Sequence, residues 1–302
     1  MFKPKGVIPA LVTPLDKNGK LMEGALRNVI DYTIAGGVHG LFILGSSGEI
    51  YGLTNAQKRR VVEVTVEHTA RRVPVYCGAS EITTRDCIQT AKMVQEVGGV
   101  SALSVLTPYF MSPTQSELIE HFTAIAKSTE LPIILYGNEG RTQVKIDVNT
   151  CKELSGVDNI IGIKDSSGDM TKMAEYLRVT SRESFSVLAG RDTLIYAGLC
   201  HGGTGAIAST ANIAPKLVSD IYNTFIAGDY QKSLELQYKL APLRLAVDKA
   251  TFPVVLKEGL NMVGIDVGYA LAPAAEMSKE SRQLLANVLE DLELYETNKQ
   301  TN

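Results

Sequence analysis

The sequence predicts an α/β protein built as a (β/α)8 TIM barrel with a C-terminal helical extension. Eight short apolar segments, each followed by a stretch of helical periodicity, recur through the first part of the chain. This alternation predicts an all-parallel sheet covered by helices, and a count of eight favours a closed barrel over an open sheet. The later part of the chain has helical periodicity and no strand signal. We therefore place the barrel in residues 1–225 and the helical extension in residues 226–302.

The predicted strands are apolar runs that end at glycine, proline, serine or threonine, the residues typical of turns. They cover 7–12, 40–44, 73–78, 102–106, 132–136, 160–164, 185–189 and 205–208. The spacing of apolar residues predicts helices over 22–35, 55–69, 84–97, 115–128 and 149–155. Because no linker separates the extension from the barrel, we expect its helices to pack on the barrel.

Composition excludes several classes of protein. The chain has 302 residues, of which 45% are hydrophobic and 21% charged, as in ordinary globular proteins. A net charge of −3 gives no basic surface for nucleic acid, and no apolar run is long enough to span a membrane. The first five residues are not those of a signal peptide. The four cysteines and four histidines lack metal-ligand spacing, so we expect a cytoplasmic protein without a metal site.

Lys164 stands at the end of the sixth predicted strand, directly after an isoleucine-rich run. Burying an ammonium is costly and favours the neutral amine, the form that attacks carbonyls to give a Schiff base. The alternative is a lysine that extends from the strand end into water. In (β/α)8 barrels the active site lies at the carboxyl ends of the strands. Because Lys164 falls at such an end, we predict that it is a nucleophile.

Other strand ends carry groups that could act with this lysine. The turn 45–49 reads Gly-Ser-Ser-Gly-Glu, whose N–H groups and hydroxyls could bind a small carboxylate. Tyr136 ends the neighbouring fifth strand and could relay protons, and Arg141 could hold a carboxylate bidentately. Taken singly, each signal is weak. The alternatives are an ordinary capped turn, an amphipathic tyrosine at the barrel mouth and a surface ion pair.

Together these segments resemble the pyruvate-dependent class I aldolase family of dihydrodipicolinate synthase and N-acetylneuraminate lyase, over nearly the whole chain. The resemblance rests on the turn at 45–49, Thr107-Pro108-Tyr109, Tyr136, Gly140-Arg141-Thr142, Gly162-Ile163-Lys164-Asp165 and Gly202-Gly203-Thr204-Gly205-Ala206-Ile207. It implies a homotetramer formed as a dimer of dimers, and chemistry that needs no cofactor. It also implies that Lys164 forms a Schiff base with pyruvate, which then reacts as an enamine with a small aldehyde.

The resemblance also assigns roles to single residues. Catalytic roles fall to Lys164, to Tyr136 as proton relay and to Ser47, where the relay begins. The pyruvate carboxylate would be held at Ser46 and Ser47, and the carboxylate of the second substrate at Arg141. The full set of expected substrate-binding residues is Gly45, Ser46, Gly48, Tyr109, Arg141 and Ile207.

Two positions depart from the pattern of the family's synthases. Those enzymes usually read Tyr-Asn-x-Pro-x-Arg-Thr-Gly, whereas residues 136–143 read Tyr-Gly-Asn-Glu-Gly-Arg-Thr-Gln. They also carry a second tyrosine after Thr-Pro-Tyr, which reaches across the dimer and extends the proton relay. This chain has Phe110 there.

Arg141 favours the synthases, because sugar-acid aldolases of the family often lack it. We therefore expect condensation of pyruvate with aspartate semialdehyde, a reaction of lysine biosynthesis. One alternative is a 2-keto-3-deoxy sugar-acid aldolase or another 2-oxo acid lyase that releases pyruvate. The other is a non-catalytic sensor of oxo acids.

Overall fold

The computed structural model of the protein describes residues 2–295 and contains the predicted (β/α)8 barrel. Its parallel strands are β1 (Gly6–Pro9), β2 (Leu41–Ile43), β3 (Val75–Gly78), β4 (Ala102–Leu106), β5 (Ile133–Gly137), β6 (Ile160–Asp165), β7 (Ser186–Ala189) and β8 (Gly205–Ala208). Neighbours in sequence pair with one another, and β1 pairs with β8. Between β1 and β2 a single bridge joins Ala10 to Phe42. The first strand is shorter than predicted, because the chain leaves the regular ladder after Pro9.

In residues 2–295, nine α-helices surround the barrel. They are α1 (Glu23–Ala35), α2 (Asn55–Thr69), α3 (Thr84–Val97), α4 (Gln115–Lys127), α5 (Glu139–Thr142), α6 (Val148–Leu154), α7 (Met170–Val179), α8 (Ile195–Cys200) and α9 (Pro215–Ile226). Local sequence fixes several starts: Thr54 caps α2 and Thr114 caps α4 in reciprocal capping boxes with Gln57 and Glu117. The four-residue α5 was not predicted.

The C-terminal extension is helical, as predicted. It contains α10 (Tyr230–Ala246), α11 (Val254–Met262) and α12 (Lys279–Asp291). Gln237 of α10 accepts a hydrogen bond from the Tyr196 backbone N–H and donates one to the Asp192 carbonyl, both over 3.0 Å. These bonds join α10 to the segment after β7. The division of the chain at residue 225 stays a prediction, and residues 296–302 of the extension lie outside the described part.

None of the helices in residues 2–295 has both the length and the apolar character needed to cross a bilayer.

Two apolar layers form the core. The inner layer fills the barrel and consists of Ile8, Ala10, Phe42, Tyr76, Ala102, Ile134, Ile161, Leu188 and Ile207. The outer layer lies between the sheet and the helices and includes Ile133, Leu135 and Ile163. Successive side chains of a strand point to opposite faces, so the neighbours of outward-facing Leu135 and Ile163 face the barrel interior. Those neighbours include Tyr136 and Lys164.

A shift in strand register sets which residues of β6 face inward. Ile133 pairs with Ile160, whereas Ile134 pairs with Gly162, so β6 contains one extra residue. After this bulge the strands stay in step, and Tyr136 lies opposite Lys164. A Cβ atom on Gly162 would lie 2.6 Å from the carbonyl oxygen of Ser186 on β7. Only glycine therefore fits this position without movement of the sheet.

We predict that Gly162→Ala destabilises the protein by about 1–3 kcal/mol, the usual cost of overpacking. Gly24→Ala is the matched control, because a Cβ atom there meets nothing within 4 Å in the first turn of α1. The control should be as stable as the wild type or gain up to about 1 kcal/mol. Urea unfolding of the three proteins at one protein concentration measures the difference. Equal midpoints for Gly162→Ala and wild type would show that the sheet adapts freely.

Candidate active site

A cavity of about 360 Å³ opens at the carboxyl ends of the strands. Its lining consists of Ala10, Ser46, Ser47, Tyr136, Asn138, Gly140, Arg141, Lys164, Ser166, Ser167, Gly190, Arg191, Ile207, Ser209, Arg244, Asp248 and Phe252. A larger cavity of about 600 Å³ lies between the segment after β1 and residues 254–282, and none of the predicted site residues lines it. The smaller cavity is therefore the candidate active site.

Lys164 is 5% exposed and points into this cavity from β6. Its Nζ lies 4.1 Å from the ring centroid of Tyr136 and 5.2 Å from that of Phe42. No carboxylate of residues 2–295 forms an ion pair with it. The adjacent Asp165 faces the other way and binds the backbone N–H and hydroxyl of Ser167. Aromatic rings rather than a counter-ion thus surround the amine, which leaves its nitrogen available to an incoming carbonyl.

Tyr136 of β5 is 3% exposed, and its hydroxyl accepts a hydrogen bond from Asn138 Nδ2 over 3.0 Å. Burial raises the pKa of this phenol, but the positive charge of Lys164 and hydrogen bonds with Asn138, Ser46 and Ser166 outweigh that effect. The pKa of Tyr136 therefore lies below its ordinary value. A phenol that ionises more readily, beside an amine, suits proton transfer during imine formation.

The turn after β2 places Ser46 and Ser47 on the cavity wall, and Ser47 is 3% exposed. Gly45 and Gly48 do not line the cavity. They allow the turn instead, because a Cβ on Gly45 would lie 2.6 Å from the ring of Phe42, and one on Gly48 would lie 3.2 Å from the backbone. The turn is closed by a hydrogen bond from the Gly48 N–H to the Gly45 carbonyl over 3.0 Å. Whether Gly45 and Gly48 contact a substrate stays a prediction.

A buried ion pair anchors this turn from outside the cavity. Glu49 is fully buried and Lys257 of α11 is 2% exposed, and 2.6 Å separates Glu49 Oε1 from Lys257 Nζ. Glu49 Oε2 also accepts a hydrogen bond from the Leu271 backbone N–H over 2.7 Å. Burial lowers the pKa of Lys257, and the attraction of Glu49 opposes that shift. Charges this deeply buried persist only when paired, so the pair ties the turn to the C-terminal extension.

The structure brings Arg141 and Ile207 to the cavity as well. Arg141 lies on the short helix α5, is exposed, and holds its guanidinium 4.3 Å from the ring centroid of Phe252. Tyr109 lies outside the cavity lining, and burial raises the pKa of its phenol. The neighbouring Phe110 has a φ of +73° and is 99% exposed. The roles predicted for Tyr109 and for position 110 therefore stay predictions.

Several cavity residues were not among the predicted site residues. Asn138 lies in the segment 136–141, which the strand-end rule indicated, although no role was predicted for it. Ser166 follows the end of β6, so the same rule could have identified it. Arg244, Asp248 and Phe252 come from the C-terminal extension, and no motif marks them. Their contribution to the cavity follows only from how α10 and the segment after it pack on the barrel.

Comparison with known proteins agrees with this geometry. The family model described as the dihydrodipicolinate synthetase family matches residues 3–292. A 4-hydroxy-tetrahydrodipicolinate synthase of Methanococcoides burtonii is 36% identical over 288 residues, which span 95% of this chain and 98% of that protein. The dihydrodipicolinate synthase structure from Thermotoga maritima superposes with a TM-score of 0.94 at 31% identity, covering 97% of this chain and 100% of the other.

A third relative was solved with pyruvate bound. YagE, a prophage protein from Escherichia coli K12 described as a member of the dihydrodipicolinic acid synthase family, superposes with a TM-score of 0.92 at 28% identity. The match covers 96% of this chain and 99% of YagE. Because the family match spans nearly the whole chain and the barrel holds a buried lysine at its mouth, the protein belongs to the dihydrodipicolinate synthetase family of class I, pyruvate-dependent aldolases and lyases.

Proposed function

We propose that the protein is a 4-hydroxy-tetrahydrodipicolinate synthase, which condenses pyruvate with aspartate semialdehyde in lysine biosynthesis. The observation that carries the proposal is the buried amine of Lys164, 4.1 Å from the ring of Tyr136, in a cavity at the carboxyl ends of the strands. The names of relatives at 34–37% identity support the choice of reaction.

In the proposed reaction, the pyruvate carboxylate binds at Ser46 and Ser47, and Lys164 Nζ attacks the keto carbon. The resulting carbinolamine loses its hydroxyl as water, with Tyr136 donating the proton, and an imine forms. The imine withdraws electrons from the pyruvate methyl group, so a methyl proton passes to the Tyr136 phenolate left by the previous step and an enamine forms. The enamine carbon then bonds to the aldehyde carbon, whose oxygen takes up the proton from Tyr136, and the imine on Lys164 re-forms. The amino group of aspartate semialdehyde attacks this imine carbon and passes a proton to Lys164 Nζ, which leaves as the free amine while the product ring closes.

A sugar-acid aldolase is the second candidate, because Phe110 lacks the relay hydroxyl and residues 137–143 lack the proline typical of synthases. The same imine and enamine would serve both reactions, run in opposite directions. The two candidates differ in the aldehyde and in the direction of the reaction. Incubation with pyruvate and a panel of aldehydes, followed by identification of the products, distinguishes them.

We also propose that the protein is a cytoplasmic homotetramer, assembled as a dimer of dimers. The fully exposed ring of Phe110, beside the 47% exposed Met111, supports an interface at this loop. Cys77, Cys87 and Cys151 are buried free thiols, as is common in a reducing compartment. Sedimentation analysis of the purified protein tests the assembly, and a monomer at micromolar concentration would refute it.

We predict that pyruvate and borohydride together add covalently to Lys164 and that Lys164→Ala shows neither addition nor turnover. Lys58 and Lys257 serve as internal controls, because both are buried but paired with Glu81 and Glu49 over 2.6 Å. Peptide mass mapping should find them unmodified. Labelling of another lysine would refute the mechanism. Labelling of Lys164 without turnover of any aldehyde would indicate a sensor rather than an enzyme.

Arg141→Lys keeps a positive charge but loses the planar fork and its stacking on Phe252. If Arg141 binds the aldehyde carboxylate, kcat/KM for the aldehyde should fall by about 10- to 100-fold. The rate of borohydride trapping with pyruvate should not change. A variant that traps pyruvate poorly would show instead that Arg141 serves the first substrate.

Phe110→Tyr tests whether the missing hydroxyl limits condensation. Acid–base help of this kind is worth on the order of 10²–10⁴ in rate, so we expect faster condensation with aspartate semialdehyde if the phenol completes a relay in the dimer. Sedimentation of the variant provides the control for assembly. An unchanged or lower rate, together with a weaker dimer, would show that Phe110 only packs at the interface.

A further inference from the structure

The charges on the cavity wall are strongly unbalanced. Four cationic side chains line the cavity (Lys164, Arg141, Arg191 and Arg244), whereas Asp248 is the only acidic residue among the lining residues. Lys164 is assigned to the imine and Arg141 to a substrate carboxylate in the proposed function. Neither that proposal nor the sequence pattern gives a role to Arg244.

Arg244 differs from the other two arginines of the cavity in its burial. It is 7% exposed, whereas Arg141 and Arg191 are exposed. It lies in the last turn of α10, among the buried residues of that helix. An interaction between a guanidinium and an anion is stronger where water is excluded. A substrate carboxylate in reach of Arg244 would therefore be held more tightly than one bound only by the exposed arginines.

The donors of Arg244 are not used by the protein itself. Its Nη1 lies 3.1 Å from Asp248 Oδ1, close enough for charge attraction, but the N–H does not point at the oxygen and no hydrogen bond forms. Within residues 2–295 the guanidinium donates no hydrogen bond to any other group. A buried polar group without a partner is costly. Such a group on the wall of a reaction cavity is satisfied when a ligand supplies the acceptor.

We propose that Arg244 is a second specificity-determining residue, which binds the carboxylate at the far end of the aldehyde, and that Asp248 positions it. This inference rests on the proposed function and adds to it a second residue that selects aldehydes carrying a carboxylate. Asp248 lies four residues after Arg244, in the turn just past the end of α10, and attracts the guanidinium by charge while leaving its N–H groups directed elsewhere. Arg141 reaches the same cavity from α5, so the two arginines would share the carboxylate.

The test compares two classes of aldehyde at saturating pyruvate: the carboxylated aspartate and succinic semialdehydes, and the uncharged glyceraldehyde and propionaldehyde. Arg244→Gln should lower kcat/KM for the carboxylated aldehydes by about 10- to 100-fold, the effect of losing a charged hydrogen bond. Its kcat/KM for uncharged aldehydes should be unchanged. Asp248→Asn, which loosens the guanidinium without removing it, should give a smaller fall of about 2- to 10-fold for the carboxylated class alone.

Two controls keep the result interpretable. Borohydride trapping with pyruvate must proceed at the wild-type rate in each variant, which shows that the barrel and Lys164 are intact. If Arg244→Gln fails this control, Arg244→Lys replaces it, with the same selective fall expected from loss of the fork. Arg27→Gln is the matched control, because it breaks an i, i+4 ion pair with Glu23 on α1, outside the cavity, and should leave all four aldehydes unaffected.

The outcomes separate this inference from the proposed function. If the wild type uses carboxylated aldehydes and Arg244→Gln uses them equally well, the Arg244 subsite is refuted and the proposed function stands. If Arg244→Gln lowers kcat/KM for glyceraldehyde as much as for the semialdehydes, Arg244 does not select a carboxylate and the inference is also wrong. If the wild type accepts only uncharged aldehydes, both proposals fail.

Discussion

The pairing of β5 with β6 is the constraint on which the rest of the site depends. The two strands pair residue by residue only beyond a bulge, where β6 contains one extra residue. The regular pairing that follows the bulge places Lys164 opposite Tyr136. A shift of one residue would turn every side chain to the other face of the strand. The amine would then lie among the outer helices and Ile163 would fill the cavity. Gly162 makes this register possible, because its missing side chain leaves room for the backbone of β7.

The C-terminal extension contributes Arg244, Asp248 and Phe252 to the candidate active site. Through Lys257 it holds Glu49, and with it the turn that carries Ser46 and Ser47. A buried ion pair contributes little net stability, since desolvation offsets the attraction between the charges. Its effect here is positional: because each buried charge needs the other as its partner, the pair fixes the position of the turn relative to α11. The same extension contributes Phe252, which supports the guanidinium of Arg141.

Three of the four cations of the cavity are held in different ways, and the differences fit different tasks. Lys164 lies against aromatic rings, which stabilise an ammonium without forming the ion pair that a carboxylate would form with it. Arg141 stacks on Phe252 at the exposed rim. Arg244 is buried and attracted to Asp248 without a hydrogen bond. A cavity with three arginines and a single acid attracts anions, which suits a reaction between two carboxylated molecules.

The sequence by itself determined the eight strands and the position of the candidate nucleophile, Lys164. The eight strands follow from apolar runs bounded by turn residues, and the strand-end rule located Lys164, Tyr136, Arg141 and the turn at 45–49, because local pattern and chain order suffice for a parallel barrel. Only the tertiary structure decided the rest. Arg244 and Asp248 have the spacing of a common helix ion pair, and Tyr109 shares a strand end with the cavity yet lies outside its lining. Which face of α10 is buried, and against what, depends on packing between segments far apart in the chain, and no local pattern carries that information.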